Sequence, residues 1–225
     1  VMMNVTNQGT GVIESKPFPL YPIPNDPKGR DFFIVLATAN PIELEGTFPL
    51  SPAQQDRFTY RLRIGLPTRE DEMRIESENV VNEKVEIIGD LRDLLDITEM
   101  VDSLRLSDQA RELAQRYQDN SRPYSQDIED FGEKRERYAG QNLIEFINKY
   151  VACGCSPRRN YHIKAAAKAY AWMMGEDEVV RAEHVKAIAP SVMQHVFLLQ
   201  TASLSDDITS KKVVERILEE TWMPK

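Results

Sequence analysis

Residues 31–66 read DFFIVLATANPIELEGTFPLSPAQQDRFTYRLRIGL, and this stretch decides the predicted fold. Residues 32–37 form a continuous apolar run that is short for a helix and of ordinary length for a strand. Because the run does not alternate with polar residues, both of its faces should be covered, as in the middle of a parallel sheet. Pro41 ends the run and pushes Asn40 toward an extended conformation. Asn40 should therefore lie at the carboxyl end of the strand, where ligands bind in open α/β sheets.

The second half of the stretch predicts a short helix and a second strand. Ser51 is a typical N-cap residue and the proline after it favours a first helical turn, so a helix should run over residues 52–58 with Arg57 near its end. Apolar and polar residues then alternate over 60–66, which is typical of a strand with one wet face. From spacing alone, Asn40 is better explained as a strand cap and Arg57 as a surface ion pair.

Residues 37–58, ATANPIELEGTFPLSPAQQDRF, resemble the segment of MoxR-type AAA+ ATPases that runs from the sensor-1 strand to the arginine finger. The family pattern is close to ATxNPxExEGTxxLPEAQLDRF, and this chain departs from it only slightly, for example at Ala39, where Gln is frequent. The resemblance implies that Asn40 is sensor 1, which polarises the attacking water or contacts the γ-phosphate. It also implies that Arg57 is the arginine finger, whose planar guanidinium stabilises the transferred phosphoryl group in the neighbouring subunit.

A second stretch, residues 154–197, is similar to the same family, which commonly reads GASPRA, AAKALA, GRDYVxxEDV and LRHR along this part. The arginine of SPR is sensor 2 in the family, and it corresponds to Arg158. The start of a helix capped by Ser156 would itself favour phosphate, and Arg158 would add a charge beside it. Glu176 and Val196 stand where the family has arginine. The alternative for Arg158 is a surface charge near a helix start.

The rest of the chain predicts almost only helices, because apolar residues recur at helical spacing. We therefore expect an α/β plus all-α fold: the C-terminal portion of an AAA+ P-loop NTPase core with parallel-sheet strands at 1–67, then a helical lid domain at 68–225. A polar, charged stretch around 120–140 indicates an insertion in the lid. Residues 1–15 suit a strand or hairpin, and the proline-rich residues 16–30 suit an extended connector.

Capping residues predict where the helices begin and end. Thr68, Ser107 and Ser156 are expected to start helices, whereas Gly154 and Gly175 are expected to end them. Further helices are predicted over 91–100, 141–152, 181–189 and 210–222, and Val192, Val196 and Leu199 indicate another after residue 189.

Composition excludes some classes of function. The chain has 36 acidic and 28 basic residues, a net charge of −8 that argues against a broad nucleic-acid surface. Its longest apolar runs are far shorter than a membrane span. Cys153 and Cys155 have no second pair elsewhere, and the three histidines lack ligand-like spacing, so free thiols in a reducing cytoplasm are expected rather than a metal site.

Neither Walker motif occurs in the chain: there is no GxxxxGK[ST], and no apolar strand ends in Asp-Glu before Asp31. Without backbone amides and a lysine to hold the phosphates, and without a carboxylate for Mg²⁺, the chain alone should be inactive. We expect it to be the C-terminal part of a longer protein. The intact protein would be an ATP hydrolase whose ATP and Mg²⁺ are bound mainly by residues outside this chain.

The resemblance implies a ring of identical subunits, usually a hexamer, that couples ATP hydrolysis to chaperone-like remodelling of protein partners. It also implies a von Willebrand factor A-domain protein as a partner. One alternative is a non-catalytic helical adaptor that lacks the P-loop, and another is a related chelatase- or helicase-type AAA+ subunit. Retention of Asn40, Arg57 and Arg158 argues against the adaptor, and the negative charge and the EGT segment argue against the helicase.

Overall fold

The structure is a computed structural model that describes residues 3–6, 10–13, 16–19, 26–30, 32, 34–38, 50–77, 86–123, 138–176 and 178–225. The chain divides into two compact units. The first consists of Val1–Phe48 and Leu66–Met100, and the second of Pro49–Gly65 and Val101–Lys225. The predicted boundary between a core part at 1–67 and a lid at 68–225 stays a prediction.

The first unit begins with a three-stranded antiparallel sheet made of β1 (Met3–Thr6), β2 (Thr10–Ile13) and β3 (Lys16–Pro19). Met3 pairs with Ile13 in the first hairpin, which confirms the predicted hairpin. The connector predicted at 16–30 is wrong over its first residues, because β3 pairs with β2. β3 is the edge strand, where proline is tolerated because one row of backbone donors needs no partner.

The predicted buried strand over 32–37 is wrong where the structure describes it. Residues 34–38 have no regular secondary structure, and Ile34 and Leu36 are 61% and 86% exposed. A strand of this kind forms only when neighbouring strands bond to both of its edges and cover both of its faces. No described residue pairs with residues 34–38 as a strand, so the apolar run lacks those neighbours here. Asn40 lies outside the described residues.

The first helix along the chain, α1 (Pro52–Gln55), belongs to the second unit. The first unit contains α2 (Arg69–Ser77) and α3 (Leu91–Ser103) as far as Met100. The predicted start at Thr68 is confirmed, since its hydroxyl accepts a hydrogen bond from the Asp71 amide at 3.2 Å. Arg30 forms ion pairs with Asp96 at 3.0 Å and Glu99 at 2.8 Å, which fix the turn at residues 26–30 to α3.

The second unit is built from helices with two small sheets. After α1 come β4 (Arg105–Leu106), α4 (Asp108–Asn120), α5 (Gln141–Tyr150), β5 (Val151–Cys153), α6 (Pro157–Met173), β6 (Val179–Val180), α7 (Ala182–Met193), β7 (Leu198–Leu199), α8 (Ala202–Ser205) and α9 (Ser210–Glu220). β4 and β6 pair in parallel, and β5 and β7 pair antiparallel. The helices agree with those predicted from the apolar spacing to within a few residues, except after Ala189. There α7 continues to Met193, and the separate helix predicted from Val192, Val196 and Leu199 is wrong, because Leu198–Leu199 form β7.

The core of the second unit lies between α4, α6 and α7, with α5 and α9 packed beside them. Alanines on the buried face of α6 let α7 approach closely, because small side chains shorten the distance between helix axes. The core consists of buried apolar side chains from all five helices, among them Leu113, Tyr117, Leu143, Ile147, Ile163, Ala167, Val185, Val192, Val213 and Ile217.

Two glycines predicted to end helices behave differently. Gly175 has a φ of +82° and follows α6, as predicted. Gly154 does not end a helix, because α5 stops at Tyr150 and the chain continues as β5, whose Val151 pairs with Leu199. Instead, a Cβ at Gly154 would lie 2.1 Å from the Ser121 carbonyl oxygen. Glycine is needed there because the chain passes directly over the end of α4.

The cysteines are free thiols: Cys153 is exposed, and Cys155 is buried. Burial raises the pKa of Cys155 to about 11, so this side chain stays protonated at neutral pH. Within the described ranges, no helix is both long and apolar enough to cross a membrane. The insertion predicted around 120–140 lies largely outside the described residues, which leave out 124–137.

Candidate functional site

The short helix α1 presents Asp56 and Arg57 in the turn that follows it. Ser51 caps the helix: its hydroxyl accepts from the Gln54 amide at 3.3 Å, and the Gln54 side chain accepts from the Ser51 amide at 2.8 Å. This reciprocal cap and Pro52 at the first position explain why so short a helix forms. The helix predicted over 52–58 ends at Gln55, so Arg57 lies in the turn.

Arg57 is exposed, and within the part of the chain that the structure describes no side chain bonds to its guanidinium. Residues 60–66 form no strand, contrary to the prediction. The backbone groups of Arg61 bond instead to the end of α7: its amide donates to the Ser191 carbonyl at 3.3 Å, and its carbonyl accepts from the Gln194 side chain at 3.1 Å. A helix end takes the place of a neighbouring strand as hydrogen-bond partner.

Asp56 connects the Arg57 turn to the start of α6. Ser156 occupies the N-cap position of α6 as predicted, but its hydroxyl does not cap that helix. It donates to Asp56 Oδ2 at 2.7 Å. Arg158 is the second residue of α6, with its Nη1 3.9 Å from the same Asp56 oxygen and its side chain 54% exposed. Arg158 is thus paired with the residue that precedes Arg57 in the chain, and the Arg57 and Arg158 side chains are both exposed.

The most deeply anchored residue of the site is Arg159, which the sequence analysis missed. Its side chain is completely buried, and its Nη2 donates to Asp56 Oδ1 and to the Asp56 carbonyl, both at 3.0 Å. Its Nη1 donates to the carbonyls of Phe58, Thr59 and Val192 at 3.0, 3.2 and 3.1 Å. Helical spacing could have placed Arg159 on the buried face, since it lies four residues before Ile163.

Two buried histidines complete the surroundings of Arg159. His195 Nε2 lies 3.0 Å from the Phe58 carbonyl, and because a carbonyl only accepts, Nε2 carries the proton. Burial lowers the pKa of His195, although the hydrogen bond to the Phe58 carbonyl acts in the opposite direction. Burial and then the charge of Arg159 lower the pKa of His162 to about 4. Both imidazoles are therefore neutral at pH 7, and the positive charge of the site comes from arginines.

The arrangement suits the binding of a phosphate-bearing ligand rather than a metal. Two accessible guanidiniums, Arg57 and Arg158, match the geometry of phosphate oxygens, and the amino terminus of α6 favours negative charge beside Arg158. Across the described residues, no three His, Cys, Asp or Glu side chains are grouped as they would be for holding a metal ion.

Comparison with known proteins matches two parts of the chain to models of AAA proteins. The model of the ATPase family associated with various cellular activities (AAA) matches residues 26–60, and the model of the AAA lid domain matches residues 145–217. Chaperone MoxR1 of Mycobacterium tuberculosis is 30% identical over 202 residues, which are 87% of this chain and 49% of MoxR1. The uncharacterized protein YeaC of Bacillus subtilis is 26% identical over 202 residues, which are 86% of this chain and 54% of YeaC.

A solved structure agrees with these matches. The crystal structure of a candidate ATPase from Cytophaga hutchinsonii superposes with a TM-score of 0.74 at 25% identity, covering 96% of this chain and 59% of that one. The chain spans about half the length of the curated relatives it matches. The first family model includes Arg57 and the second includes Arg158 and Arg159. The predicted fold class is confirmed, and the chain belongs to the MoxR group of the AAA+ ATPases, with a portion of the α/β core followed by a helical lid.

Proposed function

We propose that this chain is part of a MoxR-type ATPase that couples ATP hydrolysis to chaperone-like remodelling of protein partners as a ring of identical subunits, usually a hexamer. The observation that carries the proposal is that Arg57 and Arg158 are both exposed, while Asp56, the residue before Arg57, pairs with Arg158 at 3.9 Å and with the buried Arg159 at 3.0 Å. Stability explains neither exposed arginine: Arg57 has no side-chain partner among the described residues, and an exposed ion pair such as that of Arg158 contributes only ~0–1 kcal/mol.

Each residue has a distinct role in the proposed reaction. Arg57 reaches the nucleotide of the neighbouring subunit and stabilises the charge that develops on the transferred phosphoryl group. Arg158 binds phosphate oxygens of the nucleotide in its own subunit, at the start of α6. Asn40 orients the attacking water or contacts the γ-phosphate.

The cofactors of the intact protein would be ATP and Mg²⁺. Arg57 and Arg158 fit the phosphates, whereas the described residues bring together no metal-binding group of carboxylates, so Mg²⁺ would be bound mainly by residues outside this chain. A bound Mg²⁺ would supply charge neutralisation on the phosphates. We further propose a cytoplasmic protein and a von Willebrand factor A-domain partner, which co-purification of the intact protein would test.

The test is ATP turnover by the intact protein carrying Arg57→Ala. We expect a loss of about 10³-fold or more in kcat with nucleotide binding retained, because a finger acts on the transition state rather than on binding. Arg63→Ala is the matched control, since Arg63 is also exposed and has no assigned role. Full activity of Arg57→Ala would contradict the finger assignment. An intact protein that neither binds nor hydrolyses ATP would favour the adaptor.

A further inference from the structure

We propose that Arg159 is a positioning residue for Arg57: its buried guanidinium fixes the backbone on both sides of Arg57 to the helices of the second unit. The inference rests on the proposed function, because it assumes that Arg57 acts on a neighbouring nucleotide.

The contacts of Arg159 surround Arg57 along the chain. The Asp56 carbonyl, just before Arg57, accepts from Nη2, and the Phe58 and Thr59 carbonyls, just after it, accept from Nη1. A guanidinium is planar and presents its donors in a fixed fork, so several acceptors bound to it are held at defined positions relative to one another. One buried side chain therefore sets the backbone from which Arg57 projects.

The same guanidinium ties this turn to a second helix. Val192 belongs to the last turn of α7, where carbonyls lack partners within the helix, and its carbonyl accepts from Arg159 Nη1 at 3.1 Å. His195, just beyond α7, bonds to the Phe58 carbonyl from the other side. The Arg57 turn is thus fastened to the beginning of α6 and to the end of α7 at once.

Arg158 and Arg159 are consecutive residues of α6 with different proposed roles: Arg158 binds phosphate, and Arg159 positions Arg57. Consecutive helical residues point about 100° apart, so one can face the interior while the next faces solvent. Arg159 is fully buried against the Arg57 turn, and Arg158 is 54% exposed. Because both sit on the first turn of α6, a displacement of that turn on contact between Arg158 and phosphate would also displace Arg57. The family pattern GASPRA has alanine where Arg159 stands, so this anchor does not follow from the pattern.

The test uses mixed rings of the full-length protein, made by co-expressing two differently tagged variants. Arg159→Lys keeps the charge but loses the planar fork, and we expect homogeneous Arg159→Lys rings to lose at least tenfold in kcat with KM for ATP within twofold. Asp56→Asn is the second variant, in case Arg159→Lys does not fold. It leaves the four carbonyl contacts of Arg159 in place. We expect kcat to fall about three- to tenfold, again with the KM for ATP within twofold.

Complementation then identifies the site that has been damaged. An Asn40→Ala subunit has a correctly positioned Arg57. It should therefore restore ATP hydrolysis at the nucleotide site of a neighbouring Arg159→Lys subunit, whose own Asn40 is intact. An Arg57→Ala subunit lacks the arginine finger altogether. Mixing it with Arg159→Lys should therefore restore no ATP turnover. The mixture of Asn40→Ala with Arg57→Ala sets the reference level of recovery.

The other outcomes overturn the inference. Recovery with Arg57→Ala but not with Asn40→Ala would mean that Arg159 acts on the nucleotide of its own subunit. No recovery with either would mean that Arg159 only supports the fold. An inactive reference mixture would instead overturn the proposed function itself, and with it the role of the finger.

A readout without nucleotide completes the test. Hydrogen exchange in the peptide covering residues 54–61 should rise at least tenfold in Arg159→Lys, because the Arg57 turn loses its anchor. Exchange in α9, which forms no hydrogen bond with Arg159, should stay within twofold. Unchanged exchange in the 54–61 peptide would overturn the inference.

Discussion

Replacing Arg159 and Arg158 in turn by methionine should affect the stability of the second unit very differently. The two arginines are adjacent in sequence and share Asp56 as a partner, but Arg159 is fully buried at 3.0 Å from the carboxylate and Arg158 is 54% exposed at 3.9 Å. Each change removes one positive charge and leaves a side chain of similar length. The pair of variants therefore isolates the effect of burial.

The magnitude follows from what each arginine leaves behind. Without Arg159, the carboxylate of Asp56, 16% exposed, keeps only the Ser156 hydroxyl and the distant Arg158, and the Thr59 and Val192 carbonyls lose their side-chain donor. Breaking a buried pair by removing one partner costs about 3–5 kcal/mol. Removing Arg158 breaks an exposed pair, which costs about 0–1 kcal/mol.

Urea unfolding followed by tryptophan fluorescence measures the difference. The two tryptophans of the chain, Trp172 and Trp222, both belong to the second unit, so the signal reports the unit that contains the substitution. We expect the midpoint to fall with an unchanged slope on denaturant, since the surface exposed on unfolding stays similar. A double-mutant cycle of Arg159→Met with Asp56→Asn should give less than the sum of the two losses.

Equal losses for the two arginine variants would refute the argument. An Arg159→Met protein as stable as the unsubstituted one would also refute it. That result would mean that the bonds of Arg159 contribute no more free energy than the burial of its charge costs. Strict additivity in the cycle with Asp56→Asn would show that the two side chains do not act as a pair.

Three further predictions concern stability. The folded-state pKa of His162, about 4, is below its ordinary value of 6.5, so the unfolded chain binds more protons between these values and stability should fall as pH drops through that window. From pH 7 to pH 5 the loss should be about 2 kcal/mol, and smaller in His162→Gln, measured by urea unfolding at both pH values. Gly154→Ala should lower the midpoint of urea unfolding by the equivalent of about 1–3 kcal/mol, because its Cβ would overlap the Ser121 carbonyl oxygen. Gly140→Ala is the control, since a Cβ at Gly140 has no atom within 4 Å and should not cause this overlap. Ser107→Ala should cost about 1 kcal/mol by removing the cap of α4, and an unchanged midpoint would contradict the capping role.

Local chemistry explains which parts of the fold followed from the sequence. Helix starts at Ser51, Thr68 and Ser107 were predicted correctly, because a cap is an interaction between residues three positions apart. The strands predicted over 32–37 and 60–66 were not, because a strand depends on partners elsewhere in the chain and the described residues offer none.

The same distinction between local contacts and contacts with distant residues applies to the candidate site. Arg57 and Arg158 could be selected from the family resemblance, and their accessibility agrees with the proposed roles. Ser156 was recognised as an N-cap, but its hydroxyl bonds to Asp56, a partner 100 positions away. Arg159 could have been placed on the buried face of α6, yet its acceptors at 56, 58 and 59 cannot be deduced from helical spacing. The roles of Asn40, Arg57 and Arg158 stay predictions.

The distance along the chain between the Arg57 turn and its anchor has a consequence for biosynthesis. Arg159 is 103 positions after Asp56, and His195 is 137 positions after Phe58. At about 5–20 residues per second, Asp56 is translated ~5–20 s before Arg159. Until then, the Phe58 and Thr59 carbonyls lack the side-chain donors that they have in the folded chain. The geometry of the turn that contains Arg57 is therefore among the last features of this unit to form, and it forms only once α6 and α7 have been made.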